Sequence, residues 1–386
     1  MIDRFAASKI LQLASYFRSV AVTGPRQSGK TTLVRSLFPG KTYLSLENPD
    51  TRRFALEDPR GFLAKYERGA IFDEVQRVPE LFSFLQEMLD DSPEPGRFIL
   101  TGSNNFLLQQ NISQTLAGRV ATLNLLPFST EEVFGAQKLA PDENELIVKG
   151  LYPPIYNPGI PPQDWFPNYL RTYIDRDVRQ IKNITDLIVF ERFIRLLAGR
   201  TGQELNLTSL AVDTGVDTKT VQSWIGILES SFIIHLLRPH YKNFNKTLIK
   251  RPKIYFYDTG LVCSLLGITT AEQLSLHPLR GSLFESLVVT ELLKKRTNAG
   301  KPINLYYWRD KTGNEVDIVV DNGISLLPLE IKAGKTINGE FFKSLIYWNK
   351  LSGEQKGYIV YAGNQEENRS NGISVINWFE MVKRDI

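Results

Sequence analysis

The chain has 386 residues, 42% hydrophobic and 23% charged, with a formal net charge of +4. This is an ordinary globular composition, long enough for about two to four domains, and its mild positive charge permits a nucleic-acid partner without demanding one. One cysteine, Cys263, excludes an internal disulfide, and with only three histidines the chain lacks the usual structural zinc set.

No apolar run is long enough to span a bilayer. The opening MIDRFAASKILQLASYFRS carries acid and helically spaced apolar residues, so it reads as an amphipathic first helix rather than a signal peptide. A cytoplasmic protein with no membrane partner is expected.

RSVAVTG (Arg18 to Gly24) is a short apolar run with β-branched residues and reads as a buried strand. GPRQSGKTT follows, made of Gly24, Pro25, Arg26, Gln27, Ser28, Gly29, Lys30, Thr31 and Thr32. It fills the phosphate-loop pattern G-x-x-x-x-G-K-S/T, and KTTLVRSLF behind it has the helical stripe Leu33, Val34, Leu37 before Pro39-Gly40 stops it. Glycines let backbone N–H groups surround phosphates, and the helix N-terminus adds partial positive charge. Lys30 would reach the β- and γ-phosphates of a nucleoside triphosphate, and Thr31 would ligate Mg²⁺.

KTYLSLEN reads as a strand, and PDTRRFALEDPRGFLAKY as helix broken at a proline. AIFDE is an apolar strand ending in Asp73 and Glu74. In an ATPase the first acid sits near Mg²⁺ and the second orients and polarises the attacking water. A plain solvated acid pair is the other reading. RFILTGS is a further buried strand, with Thr101, Ser103 and Asn104 at its end. Ligands of open α/β sheets sit at the carboxyl ends of strands, so Ser103 or Asn104 is expected at the γ-phosphate or the water. FLLQQNISQTLAGRV reads as a helix and ATLNLLPFS as a strand, with Arg119 between them.

TGPRQSGKTTL, IFDEVQRVP, ILTGS and LAGRV with PFS behind it, in that order, resemble the AAA+ ATPases, in the branch common in bacterial and archaeal genomes. The resemblance implies an α/β P-loop domain on a parallel sheet, with ATP and Mg²⁺ as cofactors and ATP hydrolysis as the activity. It also implies that Arg119 is a finger reaching a neighbour's γ-phosphate, and therefore a homo-oligomer. An arginine capping a helix C-terminus fits the same position. A lid arginine sensor cannot be placed, since Arg171, Arg176 and Arg179 share one amphipathic helix.

KGLYPPIYNPGIPPQDW is a proline-rich connector, and helix is expected from Trp165 to Gly199. NLTSLAVDTGV and DTKTVQSWIGILESS then read as helix, Gly215 turn and second helix, capped by Asp217 and burying Val221, Trp224, Ile225 and Leu228. FIIHLLRPHYKN and KIYFYDTGLV read as strands, which completes a winged-helix order. Lys219, Thr220, Gln222 and Ser223 form the second helix's polar face, and Lys242, Lys246, Lys250, Arg251 and Lys253 a basic stretch. DNA contact, chiefly through phosphates, and protein docking both remain open.

The last third opens with an amphipathic helix carrying Glu285, followed by strands INLYYWRD, EVDIVVD and LLPLEIKAG. Asp317 lies on one strand, and Glu330 and Lys332 share a face of the next. Two carboxylates and a lysine on a hairpin can support metal-assisted phosphodiester cleavage. These residues resemble the PD-(D/E)XK nucleases, with Asp317 as the aspartate, Glu330-Ile331-Lys332 as (D/E)-x-K and Glu285 as the helix glutamate. The resemblance implies a metal held by Glu285, Asp317 and Glu330, and a domain that binds or cleaves nucleic acid. A plain strand with an exposed ion pair is the alternative for EIKAG. The expected organisation is an ATPase core over 1–135, a helical lid over 136–200, a winged helix over 201–265 and a nuclease-like α/β domain over 266–386.

Overall fold

The structure is a computed structural model that describes residues 2–91, 93–103, 115–135, 140–174, 178, 186–242, 244 and 247–384. The chain divides into two compact units. Unit 1 holds Met1–Phe128, Ser230–Phe232 and Arg296–Pro302; unit 2 holds Ser129–Glu229, Ile233–Lys295 and Ile303–Ile386. The segments expected as lid, winged helix and nuclease-like domain therefore fall almost entirely within one unit.

Unit 1 runs α1 (Ala6–Tyr16), β1 (Ser19–Thr23), α2 (Lys30–Leu37), β2 (Thr42–Ser45), α3 (Pro49–Glu57), α4 (Pro59–Ala64), β3 (Ala70–Asp73), α5 (Leu81–Asp91), β4 (Phe98–Gly102) and β5 (Val120–Asn124). The strands form one sheet in the order β2-β3-β4-β1-β5, parallel throughout. β1, β3 and β4 are buried at every residue, as strands covered on both faces must be, and so they read as unbroken apolar runs. Alternate residues go to opposite faces. Ala21, Phe72 and Leu100 pack with Phe62 of α4 and Leu85 of α5, whereas Val20, Val22, Ile71 and Ile99 pack with Ile10 of α1 and Val34 of α2. Asp58 separates α3 from α4 and accepts the Gly61 N–H at 2.9 Å, with Pro59 opening α4. β1 has β4 and β5 as neighbours although the chain leaves it for β2 at the sheet's edge, so the loop after β1 lies at a topological switch point.

Unit 2 begins with helices that include α6 (Thr130–Phe134), α7 (Glu143–Lys149) and α8 (Pro162–Tyr173). After α9 (Leu187–Ala198), α10 (Leu207–Thr214) and α11 (Thr218–Ser230) form the expected helix, turn and helix. Gly215 supplies the turn at φ 77°, and Asp217 accepts the Thr220 N–H at 2.9 Å. β6 (Ile234–Leu237) pairs antiparallel with β7 (Lys253–Phe256). The strand expected over KIYFYDTGLV ends at Phe256, because Asp258 accepts the Leu261 N–H at 3.1 Å and starts α12 (Thr259–Leu266). α13 (Arg280–Asn298) follows.

A six-stranded sheet closes the chain, built from β8 (Leu305–Arg309), β9 (Glu315–Asp321), β10 (Leu326–Lys332), β11 (Gly357–Tyr361), β12 (Glu367–Asn368) and β13 (Ile373–Asn377), in the order β12-β13-β11-β10-β9-β8. β8, β9 and β10 are antiparallel neighbours, and β10, β11 and β13 run parallel. Among the described residues no helix is long and apolar enough to cross a membrane.

Candidate active site

The loop after β1 is shaped by two glycines. Gly24 has φ 146°, and a Cβ there would meet the Leu125 carbonyl oxygen at 2.1 Å. Gly29, at φ 91°, starts α2 without a side-chain cap. Lys30 folds back over the loop, its Nζ donating to Gly24 O at 3.0 Å and Pro25 O at 2.7 Å. Arg4, which the sequence reading passed over, donates to Ser28 O and to Leu126 O, both at 2.7 Å, tying the loop to the exit of β5.

The acids at the end of β3 face this loop. Asp73 Oδ1 accepts the Thr31 hydroxyl at 2.9 Å and also the Thr101 hydroxyl from β4. Its other oxygen accepts the Tyr43 hydroxyl of β2 at 2.7 Å. Burial first, and then the bond to Asp73, push the Tyr43 phenol up to about 12, so it stays a donor. Glu74 sits in left-handed backbone at φ 55°. Its Oε2 accepts from Gln76 Nε2, from Ser103 Oγ at 2.9 Å and from Ser103 N at 3.2 Å. Burial alone would raise its titration, but Lys30 and these donors outweigh burial and hold the carboxyl below its ordinary value. Of the two residues weighed after β4, Ser103 is placed on Glu74, and Asn104 lies outside the described residues.

Thr31 and Asp73 are disposed to hold Mg²⁺ once a nucleotide supplies phosphate oxygens and water completes the shell. Tyr43 and Thr101 fix Asp73 from two neighbouring strands. Replacing Tyr43 by Phe removes one hydrogen bond to a charged acceptor, worth about 1.5 kcal/mol or roughly tenfold. The Mg²⁺ concentration for half-maximal ATP turnover is expected to rise while ATP affinity stays put; an unchanged Mg²⁺ requirement would assign Tyr43 to packing alone.

Arg119 lies just before β5, at the amino edge of the sheet, whereas the loop lies at the carboxyl edge. Its guanidinium grips Asp90 of α5 through Nε at 2.6 Å and Nη2 at 2.8 Å. It therefore does not serve the phosphate loop beside its own β1. Arg171 is exposed on α8, and Arg176 and Arg179 lie outside the described residues. On α11, Lys219 and Gln222 are exposed, and the Thr220 hydroxyl is held by Asp217 at 2.6 Å. Lys242, Lys250 and Arg251 are exposed, and Lys246 lies outside the described residues. Lys253 departs from the expected basic stretch, because it is 3% exposed.

The reason is the acid cluster of unit 2. Register runs to Leu329↔Ile318, so the next step sets Glu330 opposite Asp317. Asp317 Oδ2 accepts the Ile331 N–H at 2.8 Å. Glu330 Oε1 accepts Lys332 Nζ at 2.6 Å and the Ser344 hydroxyl at 3.1 Å. Glu285 comes in from α13, but between it and Asp317 stands the Lys253 ammonium, 3.0 Å from Glu285 Oε1 and 3.9 Å from Asp317 Oδ1, and also paired to Glu315. Burial, then the neighbouring Glu330 and Glu285, push Asp317 well above the usual carboxylate range. As placed, Glu285, Asp317 and Glu330 do not make a metal set: among the described residues no three His, Cys, Asp or Glu side chains converge to hold an ion.

The parallel sheet, its switch-point loop and the paired acids define unit 1 as a P-loop ATPase domain. Residues 16–134 match the family described as "AAA domain". Residues 141–272 and 280–381 match two families described as domains of unknown function, DUF8612 and DUF4143. Over 339 residues the chain is 31% identical to an uncharacterized protein of Mycobacterium tuberculosis and to one of Mycobacterium bovis, covering 86% of this chain and 74% of each relative. The chain belongs to the family of these mycobacterial proteins. An uncharacterized protein of Methanocaldococcus jannaschii is 24% identical over 335 residues, covering 78% of this chain and 71% of that one. Among solved structures, a Walker-type ATPase of Pyrococcus abyssi aligns with TM-score 0.44 at 13% identity, over 69% of this chain and 96% of that one. RuvB of Thermotoga maritima aligns with TM-score 0.30 at 17% identity, over 60% and 87%. At these scores neither neighbour's activity is carried across.

Proposed function

We propose that the protein is a Mg²⁺-dependent ATP hydrolase of the cytoplasm, working as a homo-oligomer on DNA. The observation that carries the hydrolytic part is the joint placement of Thr31 on Asp73 and of Ser103 on Glu74, beside Lys30. Lys30 exchanges its loop carbonyls for phosphate oxygens and offsets the charge of the transferred group. Glu74, kept ionised by Lys30 and its donors, accepts the proton of the attacking water. Mg²⁺, held by Thr31 and Asp73, would neutralise phosphate charge.

The oligomer is supported by Arg119, which lies at the sheet edge away from the loop and could complete a neighbour's site. DNA is supported by the helix–turn–helix order of α10 and α11, with Lys219 and Gln222 exposed on the second helix. One experiment covers both partners. Purified chain with ATP and Mg²⁺ is sedimented, and labelled duplex DNA is titrated at several salt concentrations. The expected outcome is an assembly larger than one chain, with a DNA affinity falling steeply with salt. A monomer at every concentration overturns the oligomer, and an absent or salt-independent DNA affinity leaves unit 2 as a protein-docking module.

A further inference from the structure

We propose that the Lys253 ammonium is the resident cation of the acid cluster in unit 2, and that this cluster therefore takes no divalent metal and cuts no phosphodiester bond. Lys253 reaches the cluster from β7, outside the sheet that carries Asp317 and Glu330. Its ammonium pairs with Glu285 of α13 and Glu315 of β9 and lies 3.9 Å from Asp317, above the Tyr307 ring at 5.6 Å. Glu285 Oε1 accepts the Tyr255 hydroxyl as well. Lys332 occupies Glu330, and Arg309 lies 3.3 Å from Glu315 Oε2. Arg309 also pairs with Glu204 at 3.0 Å, so three cations meet five carboxyls, and the position between Glu285, Glu315 and Asp317 is taken by the ammonium.

Nor can the lysine withdraw with its backbone. Pro252 O accepts the Leu205 N–H at 2.8 Å, the Ile254 N–H donates to Gln203 O at 2.9 Å, and Ile254 O accepts the Gly202 N–H at 2.7 Å. A metal would need oxygens at about 2.1 Å that now face an ammonium. To take them it would strip a buried charge of its partners, which is strongly unfavourable. The cluster is thus an ionic clasp that fastens β7 to α13 and β9 where a nuclease would hold its ion. One atom a cation could still claim is Glu330 Oε2, which is buried with no hydrogen-bond partner among the described residues.

The inference is independent of ATP hydrolysis and is tested on the full chain without nucleotide. Mn²⁺ is titrated, with free ion followed by electron paramagnetic resonance, into wild type, Glu330→Gln, Asp317→Asn and Lys253→Met. Wild type, Glu330→Gln and Asp317→Asn are expected to bind the same amount of Mn²⁺, any of it residing near Thr31 and Asp73. Lys253→Met is expected to melt about 10 °C lower, because it leaves carboxylates unpaired in the interior, and to recover part of that loss on adding Mn²⁺. One extra Mn²⁺ in wild type relative to Asp317→Asn or Glu330→Gln would overturn the proposal. So would Mn²⁺-dependent DNA cutting lost in either variant, or a Lys253→Met protein melting with the parent. If Lys253→Met does not fold, the comparison of wild type with Asp317→Asn and Glu330→Gln decides alone.

Discussion

A Glu74→Gln protein is expected to bind ATP as the parent does and to turn it over on the order of 10²–10⁴-fold more slowly, the usual share of a positioned general base. Glutamine keeps the size and one acceptor oxygen, so the bonds from Gln76 and from Ser103 Oγ and N can persist. What it loses is the lone pair that takes the water's proton. The left-handed backbone at residue 74 costs about 1–3 kcal/mol for glutamate and glutamine alike, so the change adds no backbone strain. Steady-state phosphate release and retention of labelled ATP measure the two halves separately. Turnover within threefold of the parent would mean another group takes the proton. The pH dependence has a definite sign. Glu74 titrates below its ordinary value, so its ionised form and the stability it confers are present above the unfolded-state value. Both are lost only as pH falls through the lower, folded-state value, which places the acid limb of wild-type turnover below the ordinary glutamate value.

What could be read in advance follows from how local each signal is. The strands of unit 1 and the phosphate loop were legible because both depend on runs of a few residues: apolar stretches for doubly covered strands, and glycines where backbone must turn. Glu74 and Ser103 were legible as strand-end polar groups, since each comes directly after a buried run. Tyr43 was not. TYLS gives no sign of its task until β2 is known to lie beside β3, with Ser45 opposite Asp73. Thr101 was seen only as one polar residue among several, and its partner became evident from the adjacency of β3 and β4. Lys253 is the clearest miss. In sequence it closes a basic stretch, and such a stretch reads as solvated; only the approach of α13 and β9, which are remote in the chain, turns that lysine inward. The hairpin of β9 and β10 set Glu330 and Lys332 together as their period implied and put Asp317 opposite Glu330, but period carries no information about which cation arrives from elsewhere.

Lys30→Ala should lose ATP affinity by on the order of a hundredfold while the protein stays folded. Lys30 is 5% exposed, and its ammonium donates to Gly24 O and Pro25 O, within reach of the place where phosphates would lie. Charge-assisted bonds to phosphate are worth about 1.5–3 kcal/mol each, and about 1.4 kcal/mol is a factor of ten. The unliganded protein loses bonds to two loop carbonyls, at about 1 kcal/mol apiece, together with the attraction of Lys30 for the buried Glu74, so its melting temperature falls by several degrees. Arginine is not a substitute here: its broad guanidinium needs room that a loop closed around an ammonium lacks. The change also reaches Glu74. After burial, Lys30 is the largest influence on that carboxyl and the one that lowers it most, so its removal lets the titration of Glu74 rise. Residual turnover in Lys30→Ala, measured at saturating ATP, should accordingly lose activity at a higher pH than the parent does. Calorimetric titration with ATP and with ADP, beside a melting curve, tests the first claim. An ATP affinity within threefold of the parent would remove this loop as the nucleotide site. Weakened ATP binding with an acid limb unmoved would keep the site but disconnect Lys30 from Glu74.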